Sequence, residues 1–139
     1  MTLNKEEQIV ILFALHSLGG KAKKHRVIHF IVQNDLLLSK PNDNKVVSSN
    51  ESKVENDLAW ARQSLKENKL LEMPEHGVWK ITDEGRHQLY KLAGQATKLT
   101  TESKENLKAE AERLNSKFIE KLILLGQSID KIDFVNNSK

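Results

Sequence analysis

The sequence contains no cysteine, and that absence removes disulfides, thiolate zinc sites and thiol nucleophiles together. It fits a reducing compartment. Glycine is sparse, six residues in 139, and none of them builds a glycine-rich phosphate loop; no Ser/His/Asp arrangement is visible either. The longest apolar stretch, Ile9 to Leu15, is far too short to span a bilayer, and Met1 to Glu7 lacks the basic n-region of a signal peptide. These absences leave a cytoplasmic protein with no membrane partner, no cofactor and no catalytic centre as the expectation.

What is present points to a folded chain. Hydrophobic residues make up 38% and charged residues 29%, near ordinary globular values, and the length suits one modest core with an appendage. The formal net charge of +3 is only a weak pointer to an anionic partner. Its placement says more: Lys21-Ala22-Lys23-Lys24-His25-Arg26 puts four permanent cations in six residues with no acid among them.

Periodicity predicts a first helix capped by Asn4, with Glu7 in capping-box position, an apolar face of Ile9, Leu12, Phe13 and His16, and a stop at Gly19-Gly20. After a Lys21-Ala22 connector, Val27, Ile28, Ile31 and Val32 mark a second helix whose first turn holds the basic cluster. Residues 34–50 read as a long loop. A third helix over about 52–67 has the stripe Val54, Leu58, Ala61 and Leu65, which turns Lys53, Asn56, Trp60 and Gln63 to the other side. Leu70 to Met73 and Val78 to Thr82 flank Pro74-Glu75-His76-Gly77 as a hairpin, and Thr82 caps a fourth helix through Leu92. From about Thr100 to Ile132 a long helical pattern (Leu107, Ala111, Leu114, Phe118) runs into a heptad seam of Phe118, Leu122, Leu125, Ile129 and Ile132. The expected fold is α+β, mainly α: a winged helix-turn-helix of three core helices plus a hairpin wing over 1–93, and a long amphipathic helix with a frayed tail over 94–139.

The runs from Asn56 to Lys66, from Asn68 to Glu72 and from Gly77 to Arg86, with both tryptophans and the Thr82-Asp83-Glu84-Gly85 turn in register, resemble the N-terminal domain of Mrr restriction-system proteins. So does the helix ending in Leu18-Gly19-Gly20 before a basic connector. The resemblance covers about residues 3–93. It implies a winged-helix module for duplex DNA, in a family usually joined to a separate nuclease domain of the PD-(D/E)xK type. Here only a helix is expected beyond residue 93, so the chain is expected to be either a fragment of a longer protein or a stand-alone DNA binder that never had a nuclease, with a separate nuclease domain or subunit among the expected partners.

Each candidate site has a plain structural alternative. Asp35 with Glu51-Ser52-Lys53 imitates a D…ExK metal motif, but the second half is expected on a helix, where that chemistry does not operate. Of His16, His25, His29, His76 and His87, only His25 and His29 share a helix face, too few for a zinc site. The cations Lys21, Lys23, Lys24 and Arg26 either lie in solvent or hold phosphates; at a helix N-terminus they oppose the macrodipole, so local stability does not explain them. Trp60 either lies on the DNA face, where it could stack on a base, or packs under a neighbouring segment. Trp79 is expected in the core behind the wing. The C-terminal seam either forms a homodimer, the preferred expectation, or folds back onto the first helix.

The expected DNA face is therefore Lys21, Lys23, Lys24, Arg26, Lys53, Asn56, Trp60, Gln63, His76 and Lys80, with Lys23, Lys24, Arg26 and Lys80 holding the backbone, Asn56 and Gln63 addressing base edges and Lys53 between those roles. The expected function is sequence- or modification-dependent DNA binding for an Mrr-like restriction system. The alternative is a homodimeric winged-helix transcriptional regulator.

Overall fold

The computed structural model describes residues 6–37, 46–48, 51–97 and 114–137, with side chains described for 6–37, 55–97 and 114–128. Its centre is helix α1 (Glu6–Ser17), in which every residue from Gln8 to Leu15 is buried. The sequence suggests one apolar face, whereas α1 packs against α2, α3, α4 and the sheet; a helix surrounded in this way is apolar all round. The predicted cap Asn4 lies outside the described residues. At the other end, Gly20 N–H donates to Leu15 C=O (2.6 Å) and Gly19 N–H to His16 C=O (3.2 Å). Gly19 has φ +97°, as this left-handed helix stop requires.

The connector expected at Lys21-Ala22 is instead strand β1 (Lys21–Lys23), and α2 (Lys24–Gln33) starts immediately after it. Val27 and Ile31 of α2 are buried and Ile28 is half-buried, but Val32 is exposed, so the predicted stripe is one residue too wide. Asp35, at φ +54°, ends α2 through the same pair of backbone bonds, Leu36 N–H to Ile31 C=O and Asp35 N–H to Val32 C=O. The segment read as a continuous loop contains β2 (Val46–Ser48), which pairs antiparallel with β3 (Glu51–Ser52).

Helix α3 (Lys53–Glu67) buries Leu58, Ala61 and Leu65 as its spacing predicts; the side chains of Lys53 and Val54 lie outside the described residues. It ends on Lys69 at φ +63°, with Leu70 N–H donating to Leu65 C=O. Strands β4 (Leu71–Glu75) and β5 (Val78–Ile81) form the hairpin, turning on His76-Gly77 with Gly77 at φ +77°. The sheet order is β1-β5-β4, all antiparallel. Pro74 is tolerated because β4 is an edge strand. Ala22, Leu71, Trp79 and Ile81 point inward and are buried, which places Trp79 behind the wing.

Helix α4 (Asp83–Ala96) begins at Thr82, whose Oγ1 accepts from Gly85 N–H at 3.0 Å and donates to Lys69 C=O at 2.8 Å. A Cβ on Gly85 would collide with the Leu70 carbonyl. The Thr-Asp-Glu-Gly sequence thus joins the end of α3 to the start of α4: threonine supplies the cap and the bridge, glycine the close approach. The helix runs four residues beyond the expected end at Leu92 and buries Leu89, Leu92, Ala93 and Ala96.

Leu114 and Asn115 are not helical, so the pattern read as continuous from Thr100 is interrupted there; Leu107 and Ala111 lie outside the described residues. Asn115 caps the last helix, α5 (Ser116–Asn137), accepting from Lys117 N–H at 2.9 Å. Its amide donates to the carbonyls of Asp35 and Leu37, and Lys117 Nζ lies 2.9 Å from the Asp35 carboxylate. The start of α5 is thereby fixed to the end of α2. Phe118, Ile119 and Leu122 are buried in the chain's own core, with the Phe118 ring edge-on to Phe13 at 5.3 Å. Fold-back packing, the less favoured expectation, is what this half of the seam does. The side chains of Ile129 and Ile132 lie outside the described residues.

Candidate nucleic-acid interface

Strand pairing decides where the basic cluster sits. Lys21 pairs with Lys80, Ala22 with Trp79 and Lys23 with Val78. Because side chains alternate across a strand, the inward Ala22 and Trp79 leave Lys21, Lys23 and Lys80 exposed. Lys21 and Lys80 are therefore two like charges directly opposite each other, an arrangement that costs roughly 0.2–1 kcal/mol. Lys80 has a neighbour on its other side, Glu72 on β4, at 3.5 Å. Both members of that pair are about half exposed, so water screens it and it does little to offset the repulsion.

The first turn of α2 closes the other side of this patch. Lys24 N–H donates to Gly77 C=O at 2.9 Å, tying the helix start to the wing turn that carries exposed His76. Lys23 occupies the N-cap with no side-chain cap bond, and the first turn holds no acid. Exposed His25 and Arg26 follow. The sequence reading put Lys21 in a connector and the rest of the cluster on a helical turn; in the fold Lys21 and Lys23 belong to the sheet, while Lys24 and Arg26 belong to the helix. The backbone bond from Lys24 to Gly77 holds the helix start against the wing. Proximity to the wing through β1 was not readable, because the chain Lys-Ala-Lys has no strand signature of its own.

On α3, Asn56 and Gln63 lie away from the buried stripe and are half-exposed. Gln63 is engaged locally: its Oε1 accepts from Arg62 Nη1 at 2.9 Å and its Nε2 donates to Glu67 Oε1 at 3.3 Å. Trp60 is 69% exposed, so it does not pack under a neighbouring segment among the described residues. It rims a small cleft of about 190 Å³ with Glu7, Gln8, Asp57, Ala61 and Ser64. Sequence reasoning missed Glu7, Gln8 and Asp57, since only the packing of α1 on α3 brings them to Trp60.

Other candidate chemistry is dispersed. Asp35 pairs with Lys117, and Glu51 and Ser52 lie on β3 rather than on the helix expected for them. Among the described residues no group of three or more His, Asp or Glu side chains is placed to hold a metal, and no helix is long and apolar enough to cross a membrane. His16 is half-buried at the edge of the core, its ring edge-on to Tyr90 at 5.4 Å. Burial, and secondarily the Arg86 guanidinium, lower its pKa below the usual 6.5.

Three helices closed by an antiparallel three-stranded wing, with cations gathered where the wing meets the second helix, define a winged-helix protein. Residues 8–91 match the Mrr N-terminal domain, and the chain belongs to that family. No curated protein and no solved structure matches it.

Proposed function

We propose that this chain binds duplex DNA as the recognition module of an Mrr-like restriction system and leaves cleavage to a nuclease elsewhere. The observation that carries this reading is the Lys21/Lys80 cross-strand pair. Folding sets Lys21 and Lys80 opposite each other on paired strands, on the sheet that also carries Lys23 and next to the helix start and wing turn that carry Arg26 and His76. A phosphate backbone would turn the local cost of like charges into binding energy. Asn56 and Gln63 on α3 are the groups suited to base edges, with Gln63 first giving up its bonds to Arg62 and Glu67. The regulator reading needs a homodimer, and Phe118 and Leu122, two of the five seam residues that would build it, are buried within one chain.

Fluorescence anisotropy with a labelled duplex over a salt series tests the proposal. Affinity should fall steeply with salt, and replacing Lys21 and Lys80 together by Gln should flatten the log–log slope by roughly 0.9 for each phosphate that is no longer neutralised. Asn56→Ala should instead reduce preference among sequences. A salt-independent affinity, or a slope unchanged in the double variant, contradicts it.

A further inference from the structure

We propose that the cleft between α1 and α3 receives the guanidinium group of an arginine on a partner protein. Four residues with suitable chemistry line it together: Glu7, Asp57, Gln8 and Trp60. Neither carboxylate has an ion-pair partner among the described residues. Gln8, only 8% exposed, lines the cleft, and its side chain has no hydrogen-bond partner among the described residues. Its amide is not shut off from solvent, so the cleft offers a ligand free acceptor capacity as well as unpaired negative charge.

The occupant follows from these parts. About 190 Å³ is below the range of pockets for whole small molecules, roughly 300–1,000 Å³, and suits one side chain. The carboxylates repel nucleic-acid phosphates. A bare metal ion has no use for an indole face, whereas a planar guanidinium stacks on one and offers forked donors to carboxylates and an amide oxygen together. Trp60, exposed by 69%, thereby becomes a protein contact on the same face of α3 as Asn56 and Gln63, and the partner approaches from the edge of that face where Asp57, Ala61 and Ser64 line the cleft.

NMR titration of the full chain with acetyl-Gly-Arg-Gly-amide, and with the same peptide carrying uncharged citrulline, tests this. Saturable shifts are expected at Gln8, Asp57, Ser64 and the Trp60 indole N–H, with the citrulline peptide at least about tenfold weaker. Glu7→Gln combined with Asp57→Asn should abolish the shifts, and Trp60→Ala should weaken them; none of these substitutions removes a core side chain, and retained spectral dispersion reports the fold. The proposal is overturned by equal binding of the two peptides, by shifts centred elsewhere, by unaltered binding in the double variant or by no shift at millimolar peptide. Lys21 and Lys80 take no part, so failure of DNA binding in their variants leaves this result unaffected.

Discussion

At the scale of single residues, His16 links stability to pH. It is half-buried against Tyr90, whose hydroxyl lies 3.4 Å from Nδ1, and burial and Arg86 both disfavour its charged form. Its folded pKa is therefore below that of the unfolded chain, so the unfolded state takes up the proton first. The stability this neutral imidazole provides is full above about 6.5 and is lost as pH falls through the lower folded value. Thermal denaturation between pH 7.5 and 5 should show a falling melting temperature, and His16→Gln should flatten that fall; a variant with the same pH slope as the parent would assign the dependence to other groups. Lys69 shows a different residue-scale effect: a lysine in the left-handed region, normally glycine's place, is held there by the Schellman-type bonds at the end of α3 and by Thr82 Oγ1 on its carbonyl. No propensity scale marks that position.

At the scale of elements, packing outweighs local preference where α5 meets α4. Gly126 lies mid-helix, where alanine is intrinsically better by about 1 kcal/mol. A Cβ there would collide with the Ala93 carbonyl and the Thr97 methyl. Gly126→Ala should therefore destabilise, by about 1–3 kcal/mol as for other overpacked sites, read as a lower urea midpoint; stabilisation would mean that α5 lies farther from α4. The sequence could not show this, since a lone glycine in a helical pattern carries no record of its neighbour. Elements with their own signature were readable: α1 from its Gly19-Gly20 stop, α3 from the 58/61/65 stripe, α4 from Thr82, the hairpin from Gly77. Elements defined by a partner were not. β1 exists because β5 pairs with it, and β2 and β3 because they pair with each other. The candidate site divides the same way: the cations were visible as residues, but the Lys21/Lys80 juxtaposition and the Trp60 cleft depend on which elements meet.

At the scale of the molecule, α5 closes the core that the family-matched region leaves open. Phe118 and Leu122 are buried in the core, Phe118 against Phe13 of α1, in a helix that packs along α4, and Asn115 and Lys117 fix the helix to the end of α2. Truncation after Thr97 should thus do more than release an appendage. Removing a buried Phe typically costs about 3–5 kcal/mol, and a Leu about 2–5, against a total stability of about 5–15 kcal/mol for a domain. Circular dichroism on the shortened chain should show an early or absent thermal transition. An unchanged transition would mean that residues 1–97 fold independently and that α5 is free to serve as the dimerisation helix its seam suggests; light scattering on the full chain reports whether that dimer forms.

The pairing of β1 with β5 also ties charge to folding order. The β4–β5 hairpin is a local structure, able to form early, whereas Ala22 reaches Trp79 only once the intervening α2 and α3 have been drawn into place, a closure whose entropy must be met before it is rewarded. Until then Lys80 is not set opposite Lys21, although Lys21, Lys23, Lys24 and Arg26 are neighbours in sequence throughout. On the proposed DNA-binding reading, nascent or partly unfolded molecules lack the complete basic face, which is assembled only when β1 pairs with β5.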